Sequence, residues 1–462
     1  MTGITKELAA FVANLNYDDL PAEVAARAKL LILDTIGISV RARHDAESTE
    51  AMMQAIEALE LNQGSCGVLG DAEGYTAAGA AFANGSLAHS LDFDDTHAPA
   101  SLHASAPVLP AVLAAAQKCN ASGKDIIAAT VAGYEVICRL SMALNPSEHY
   151  ARGFHPTATC GAMGAAAAAA RVMGLDAEAT ASAFGIALNS ASGTMQYLEN
   201  GAWTKRSQIG NAAMAGLVAA TMAAKGYVGA ADAIEGKRGF LHNFAPNPDQ
   251  SKVVAGLGKK WETLAIAVKP YPACRATHAG ADAAISLRHK HNIDPSRIKA
   301  VRVGLFQTGI NLVGAPLEQK QNPVSVVDGQ FSMPFVAAVV LREGAMTWDD
   351  YATHLQDEET LALTRKVEVF NDPKTEEFYP DCLPASVSIE LEDGTIVEEF
   401  VQYPKGEPEN FVTDAELRSK FAGLVRPYLG NDGETALFNA VMSLESGSAQ
   451  ALIDAARPSA QH

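Results

Sequence analysis

The stretch RGFHPTATCGAMGAAAAAARVMGL, residues 152–175, decides the fold. From Cys160 to Ala170 it is almost pure Ala and Gly, small residues that favour a helix and let neighbours approach closely. A second run, NAAMAGLVAATMAA (211–224), has the same character. Arg171 and Lys225 flank these runs, and both fall short of the roughly 20 apolar residues a membrane span needs. They read as buried helices of a packed bundle.

Outward from there the helical pattern continues. LPAEVAARAKLLILDTIGISV (20–40), SAPVLPAVLAAAQKC (105–119) and GKDIIAATVAGYEVICRLSMAL (123–144) all carry apolar residues at helical spacing. Near residue 267 the character changes. RIKAVRVGLF (297–306) and VSIELEDGTIVEEFV (387–401) alternate apolar and polar residues as half-buried strands do, and the second contains an Asp-Gly turn signal at Asp393–Gly394. Helical patterns lie between them at 279–292 and 334–344. After YPKGEP (403–408) the chain turns helical again, with Thr413 as the expected N-cap. The expected architecture is mainly α: a helical domain over 1–266, a smaller α+β domain over 267–402, and helices over 403–462 that return to the first domain.

Composition narrows the function. Lys and Arg number 35 against 53 Asp and Glu, a net charge of −18, which argues against nucleic-acid binding and against an acidic membrane as partner. The opening MTGITKELAAFVANL lacks the basic and apolar regions of a signal peptide. Six cysteines, at 66, 119, 138, 160, 274 and 382, show no metal-like spacing, as expected of a reduced cytoplasmic protein without an iron–sulfur cluster. Neither a G-x-G-x-x-G turn after a strand, a phosphate-binding G-x-x-x-x-G-K-[ST] loop nor a G-x-S-x-G elbow is present. Between Lys252 and Arg302, ten Lys/Arg stand against three Asp/Glu, a local positive field suited to small anions or to a solvated basic face.

Four polar segments precede apolar helices. SLDFDDTHAPASLHASAPVLPA (90–111) crowds Asp92, Asp94, Asp95, His97 and His103 together. Its spacing matches neither a calcium loop nor a zinc motif, so no metal is expected. Read as acid/base chemistry, it sets Asp92, Thr96 and His103 ahead of a helix whose N–H groups favour an anion. Asp94, Asp95 and His97 then hold the loop, with His97 as a surface histidine. RGFHPTATCG repeats the device with His155, NGAWTKRSQIG (200–210) places Lys205 and Arg206 ahead of a third helix, and KPYPACRATH (269–278) offers Lys269, Arg275 and His278.

In order, LDFDDTH…LHASAPVLPA, RGFHPTATCGAMGAAAAAARVMGL, TKRSQIGNAA, KPYPACRATHAGADAA and YPKGEPEN resemble the hallmark segments of the MmgE/PrpD family over nearly the whole chain. That family includes 2-methylcitrate dehydratases, cis-aconitate decarboxylases and iminodisuccinate epimerases. The resemblance implies a large helical domain, a smaller α+β lid domain, a homodimer, and no metal or organic cofactor. It also implies that His103, His155, Lys205 and Lys269 lie in or near the pocket as catalytic groups, with Asp92 and Thr96 beside them binding substrate. Arg206, Arg275 and His278, from the polar segments themselves, are further substrate-binding candidates. One departure is Ala104, where relatives commonly have Pro after the histidine. The implied activity is cofactor-independent dehydration or decarboxylation of a small di- or tricarboxylate. Epimerisation of a substituted succinate is the alternative, and a non-catalytic carboxylate-binding protein a more distant one.

Overall fold

The computed structural model describes residues 3–199 and 201–458. They form two compact units, Met1–Ile266 together with Leu417–His462, and Ala267–Glu416. The first is helical and carries α1 (Ala22–Asp45), α2 (Ala77–Ala88), α3 (Ser105–Cys119), α4 (Gly123–Ala143), α5 (Pro156–Val172) and α6 (Thr204–Ala224). α5 is central. It packs on α3, α4 and α6, and every residue from Pro156 to Val172 is buried. Pro156 occupies the first helical position, where a missing N–H costs nothing.

The Ala and Gly content has a direct steric cause. A methyl group at Gly216 of α6 would stand 2.4 Å from Ala165 Cβ and 2.5 Å from the Ala166 nitrogen of α5. At Gly210, the corresponding atom would meet Phe82 O at 2.3 Å on α2. These helices touch backbone to backbone, which larger side chains would forbid.

α4 is long and apolar enough to cross a membrane by length and composition, with a mean hydropathy of 1.5 over its 18-residue window. Within the fold, 94% of that window is buried, because α4 is covered by α5 and its neighbours. It also carries the ion pair of Glu135 and Arg139 at 3.1 Å.

The second unit holds α7 (His278–His291), α8 (Met333–Glu343) and a four-stranded sheet of β1 (Ile298–Leu305), β2 (Val367–Asn371), β3 (Ala385–Leu391) and β4 (Ile396–Val401). The strand order is β2-β1-β3-β4. β3 and β4 form the hairpin foreseen at Asp-Gly, with Gly394 at φ 86°. β2 pairs parallel to β1, and Val301, Val303, Val367, Val387 and Ile389 bury one face beneath α7 and α8. This unit extends to Glu416, beyond the expected limit at 402. The YPKGEP segment is tied down there: Val268 N–H donates to Gly406 O at 3.1 Å, Lys405 N–H donates to Asp282, and Arg275 pairs with Glu407. Helix Asp414–Met442 follows, capped by Thr413, whose Oγ1 accepts the Glu416 N–H at 3.2 Å.

Candidate active site

The site grows from the connection between α2 and α3. His89 is the C-cap of α2, and the loop after it takes a left-handed turn at Asp92, φ 50°. Asp94 is fully buried. Its Oδ2 accepts a hydrogen bond from His89 Nδ1 at 2.6 Å and stands 3.2 Å from His103 Nδ1, short of a well-aligned hydrogen bond. The two imidazoles meet edge to face, with centroids 4.7 Å apart.

His155, the N-cap of α5, brings the third ring, 5.8 Å from His89. Its N–H is held by Gly193 O, and the Thr157 hydroxyl accepts the His103 backbone N–H at 3.2 Å. The Gln208 amide nitrogen lies 2.9 Å from His155 Nδ1. Nδ1 therefore accepts, and the ring proton sits on Nε2. From the first turn of α6, Lys205 places Nζ 2.6 Å from Asp92 Oδ1. Tyr197 packs against His155 with centroids 5.8 Å apart.

These groups set one another's charge. Burial drives His155 well below the ordinary imidazole value, and His89, Lys205 and His103 push the same way. His89 falls to about 4 for the same first reason, despite Asp94. Burial alone would raise Asp94, but His103 and His89 hold it well below the usual carboxylate range. For Lys205, burial opposes the charge, and the adjacent Asp92 more than restores it. The site at neutral pH thus holds a firm ammonium, a firm carboxylate and two neutral buried imidazoles. His103 is more open, with 15% of its side chain exposed.

Neighbouring residues of the loop serve its shape. Asp95 accepts the Ser105 backbone N–H at 3.2 Å and also its hydroxyl, while Ser105 Oγ lies 2.6 Å from the Tyr134 hydroxyl. The start of α3, expected to attract a bound anion, is thus occupied by the protein's own carboxylate. His97 is not a surface residue. It is fully buried, with Nε2 3.3 Å from Glu262 and Nδ1 accepting the Ala100 N–H, which pins the loop from within.

Of the residues singled out in the sequence, Asp92, His103, His155 and Lys205 come together, and Thr96 sits half-buried in the same loop. Arg206 turns to the Ser48 hydroxyl, 2.9 Å away. Lys269, Arg275 and His278 belong to the other compact unit, where all three are buried. There Arg275 grips Glu407 at 2.6 and 2.8 Å and donates to His278 Nδ1 at 3.0 Å. His89, Asp94, Tyr197 and Gln208 escaped the sequence reading as site residues. Asp94 lay in the quoted acidic segment and His89 just before it, but nothing in their spacing distinguishes a bridge between imidazoles from loop scaffolding.

His89, Asp94 and His103 each offer one ligand atom within 4.8 Å of the others, so they are the residues that would hold a metal. The fit is poor. Two ligands of a tetrahedral zinc ion stand roughly 3.3 Å apart, given bonds of about 2.0–2.1 Å. The 2.6 Å between His89 and Asp94 is the length of a charge-assisted hydrogen bond. A proton suits that gap better than an ion.

Comparison with known proteins gives the family of the chain. The MmgE/PrpD N-terminal domain matches residues 6–252, and the MmgE/PrpD C-terminal domain matches residues 271–446. The chain is 31% identical to the cis-aconitate decarboxylase-like protein oryM of Aspergillus oryzae, over 96% of this chain and 95% of that protein. It is 33% identical to the cis-aconitate decarboxylase of Aspergillus terreus (88% and 86% covered) and 29% identical to that of Homo sapiens (96% and 92%). On two family domains that together span most of its length, the chain belongs to the MmgE/PrpD family.

Proposed function

We propose that this chain is a lyase of the MmgE/PrpD type that decarboxylates a small unsaturated tricarboxylate, with cis-aconitate the first substrate to test. Two of the relatives named above are cis-aconitate decarboxylases by name and the third is decarboxylase-like, which favours loss of CO2 over loss of water. The observation that carries the chemistry is the half-open imidazole of His103 beside a buried carboxylate, in one cluster with ammonium Lys205 and neutral His155.

In cis-aconitate the bond to the carboxylate of the CH2 arm breaks, and its electron pair becomes a new C=C bond. The former C=C bond takes up a proton at its CH carbon, CO2 leaves, and a methylene dicarboxylate remains. Negative charge builds on the carbon framework and its carboxylates during this step, where fixed positive charge lowers the barrier. Lys205, aimed by Asp92, and the Nε2–H of His155 hold substrate carboxylates. His103 delivers the proton to carbon and recovers one from water. Thr96 orients the loop group beside it.

The test is turnover of cis-aconitate in D2O, read by mass. The expected product has lost CO2 and gained one carbon-bound deuterium. An isomer of unchanged skeleton, as from iminodisuccinate, would replace this reading with epimerisation, and loss of water from 2-methylcitrate would replace it with dehydration. No turnover of any of the three would end it. His103→Ala should lower kcat by about 10²-fold or more, the usual worth of a positioned acid, and His155→Ala by about 10²-fold, the worth of one fixed donor to developing negative charge.

A further inference from the structure

We propose that Asp94 is a positioning residue: anchored by His89, its carboxylate fixes His103 with the proton on Nδ1, so that Nε2 is the atom that exchanges a proton with substrate carbon. This rests on the decarboxylase reading for the destination of that proton.

Asp94 touches no open space, so it is not placed to bind substrate itself. One oxygen, Oδ2, lies within reach of both Nδ1 atoms, while Oδ1 is buried without a hydrogen-bond partner among the described residues. An ionised carboxylate can only accept, so each ring facing Oδ2 must present Nδ1–H. The two contacts are unequal. His89, at 2.6 Å, is the tight one, and its Nε2 is buried without a partner among the described residues. His89 thus acts as a fixed support that orients the carboxylate. His103, at 3.2 Å and partly open, is the mobile member, and such contacts tighten when substrate binds. In the resting structure His103 Nδ1 makes no formed hydrogen bond among the described residues, and Asp94 Oδ2, 3.2 Å away, is the acceptor it faces. When imidazolium His103 gives its Nε2 proton to carbon, the ring left behind is the neutral Nδ1–H form that suits this acceptor. Gln208 imposes the opposite arrangement on His155, with the proton on Nε2. The pocket therefore presents one imidazole that gives and regains a proton and one that only donates a hydrogen bond. The other groups bearing on this cluster are Asp92, Asp95, Lys205 and Tyr197.

Two measurements on the full chain decide it. Nitrogen-15 labelled histidine, recorded near pH 9, reports which ring nitrogen carries the proton, with His103 assigned by the signals lost in His103→Gln. The expected pattern is Nδ1–H for His103 in the wild type. In Asp94→Asn that preference should weaken, kcat should fall about 10²-fold with KM within about threefold, and the alkaline limb of the kcat profile, where imidazolium His103 is lost, should move to lower pH. An Nε2–H tautomer for His103 in the wild type overturns the proposal. So does a folded Asp94→Asn protein with wild-type kcat and pH profile. If Asp94→Asn does not fold, the wild-type spectrum decides alone. If the chain turns over no carboxylate, the decarboxylase reading fails, and the spectrum still decides the tautomer.

Discussion

A single buried acid shows how much one side chain can alter the pH response of this protein. Asp95 is buried beside Asp94, and burial pushes its carboxyl up to about 7 against the help of Ser105. Its folded value lies above the unfolded one, so the native state keeps a proton that the unfolded chain releases first. Ionisation of Asp95 therefore works against the fold as pH rises from roughly 4 through 7. Asp95→Asn removes that liability. Its melting temperature relative to wild type should improve by ~2–4 °C between pH 5 and pH 8.5. Parallel melting curves across that range would show that Asp95 does not titrate there. At this scale the sequence was only half legible. It named His103, His155, Lys205 and Asp92, because histidines and cations before apolar helices have a chemical use. It gave Asp94, Asp95 and His97 one scaffolding role, because spacing does not tell which carboxylate two imidazoles will share.

Elements were easier to read where their cause is local. α5 and α6 follow from Ala and Gly content, and the contact at Gly216 explains why those residues are small. Gly216→Val should lower stability by about 1–3 kcal/mol through overpacking, seen as a lower urea midpoint with an unchanged slope. An unchanged midpoint would mean that α5 and α6 lie further apart than described. The hairpin of β3 and β4 was visible because an Asp-Gly turn sits between alternating runs. β2 was not visible. It is five residues long and pairs parallel to β1, and a parallel partner needs no turn signal nearby. The length and hydropathy of α4 are legible in the sequence, but what covers it is not.

For the whole chain, the helical unit is closed by its C-terminal segment. Lys420 Nζ lies 2.6 Å from the buried Asp34 of α1, donates to Phe93 O at 3.0 Å, and sits 3.8 Å from the Phe93 ring centroid. Phe93 lies between Asp92 and Asp94, so a residue far along the chain braces the site loop. Lys420→Met leaves Asp34 buried without its cation and should cost about 3–5 kcal/mol, with a drop in kcat as the loop loosens. Wild-type stability and rate would show that the brace is dispensable. By itself the sequence determined the helical class, the smaller α+β segment, the polar loops and the family resemblance. Those properties reside in local periodicity and in residue types next to one another. Only the tertiary structure decided that Asp94 joins His89 to His103, that Asp95 fills the start of α3, and that YPKGEP is tied down through Arg275. These depend on atoms from distant segments meeting within hydrogen-bond distance, and folding in three dimensions sets those meetings.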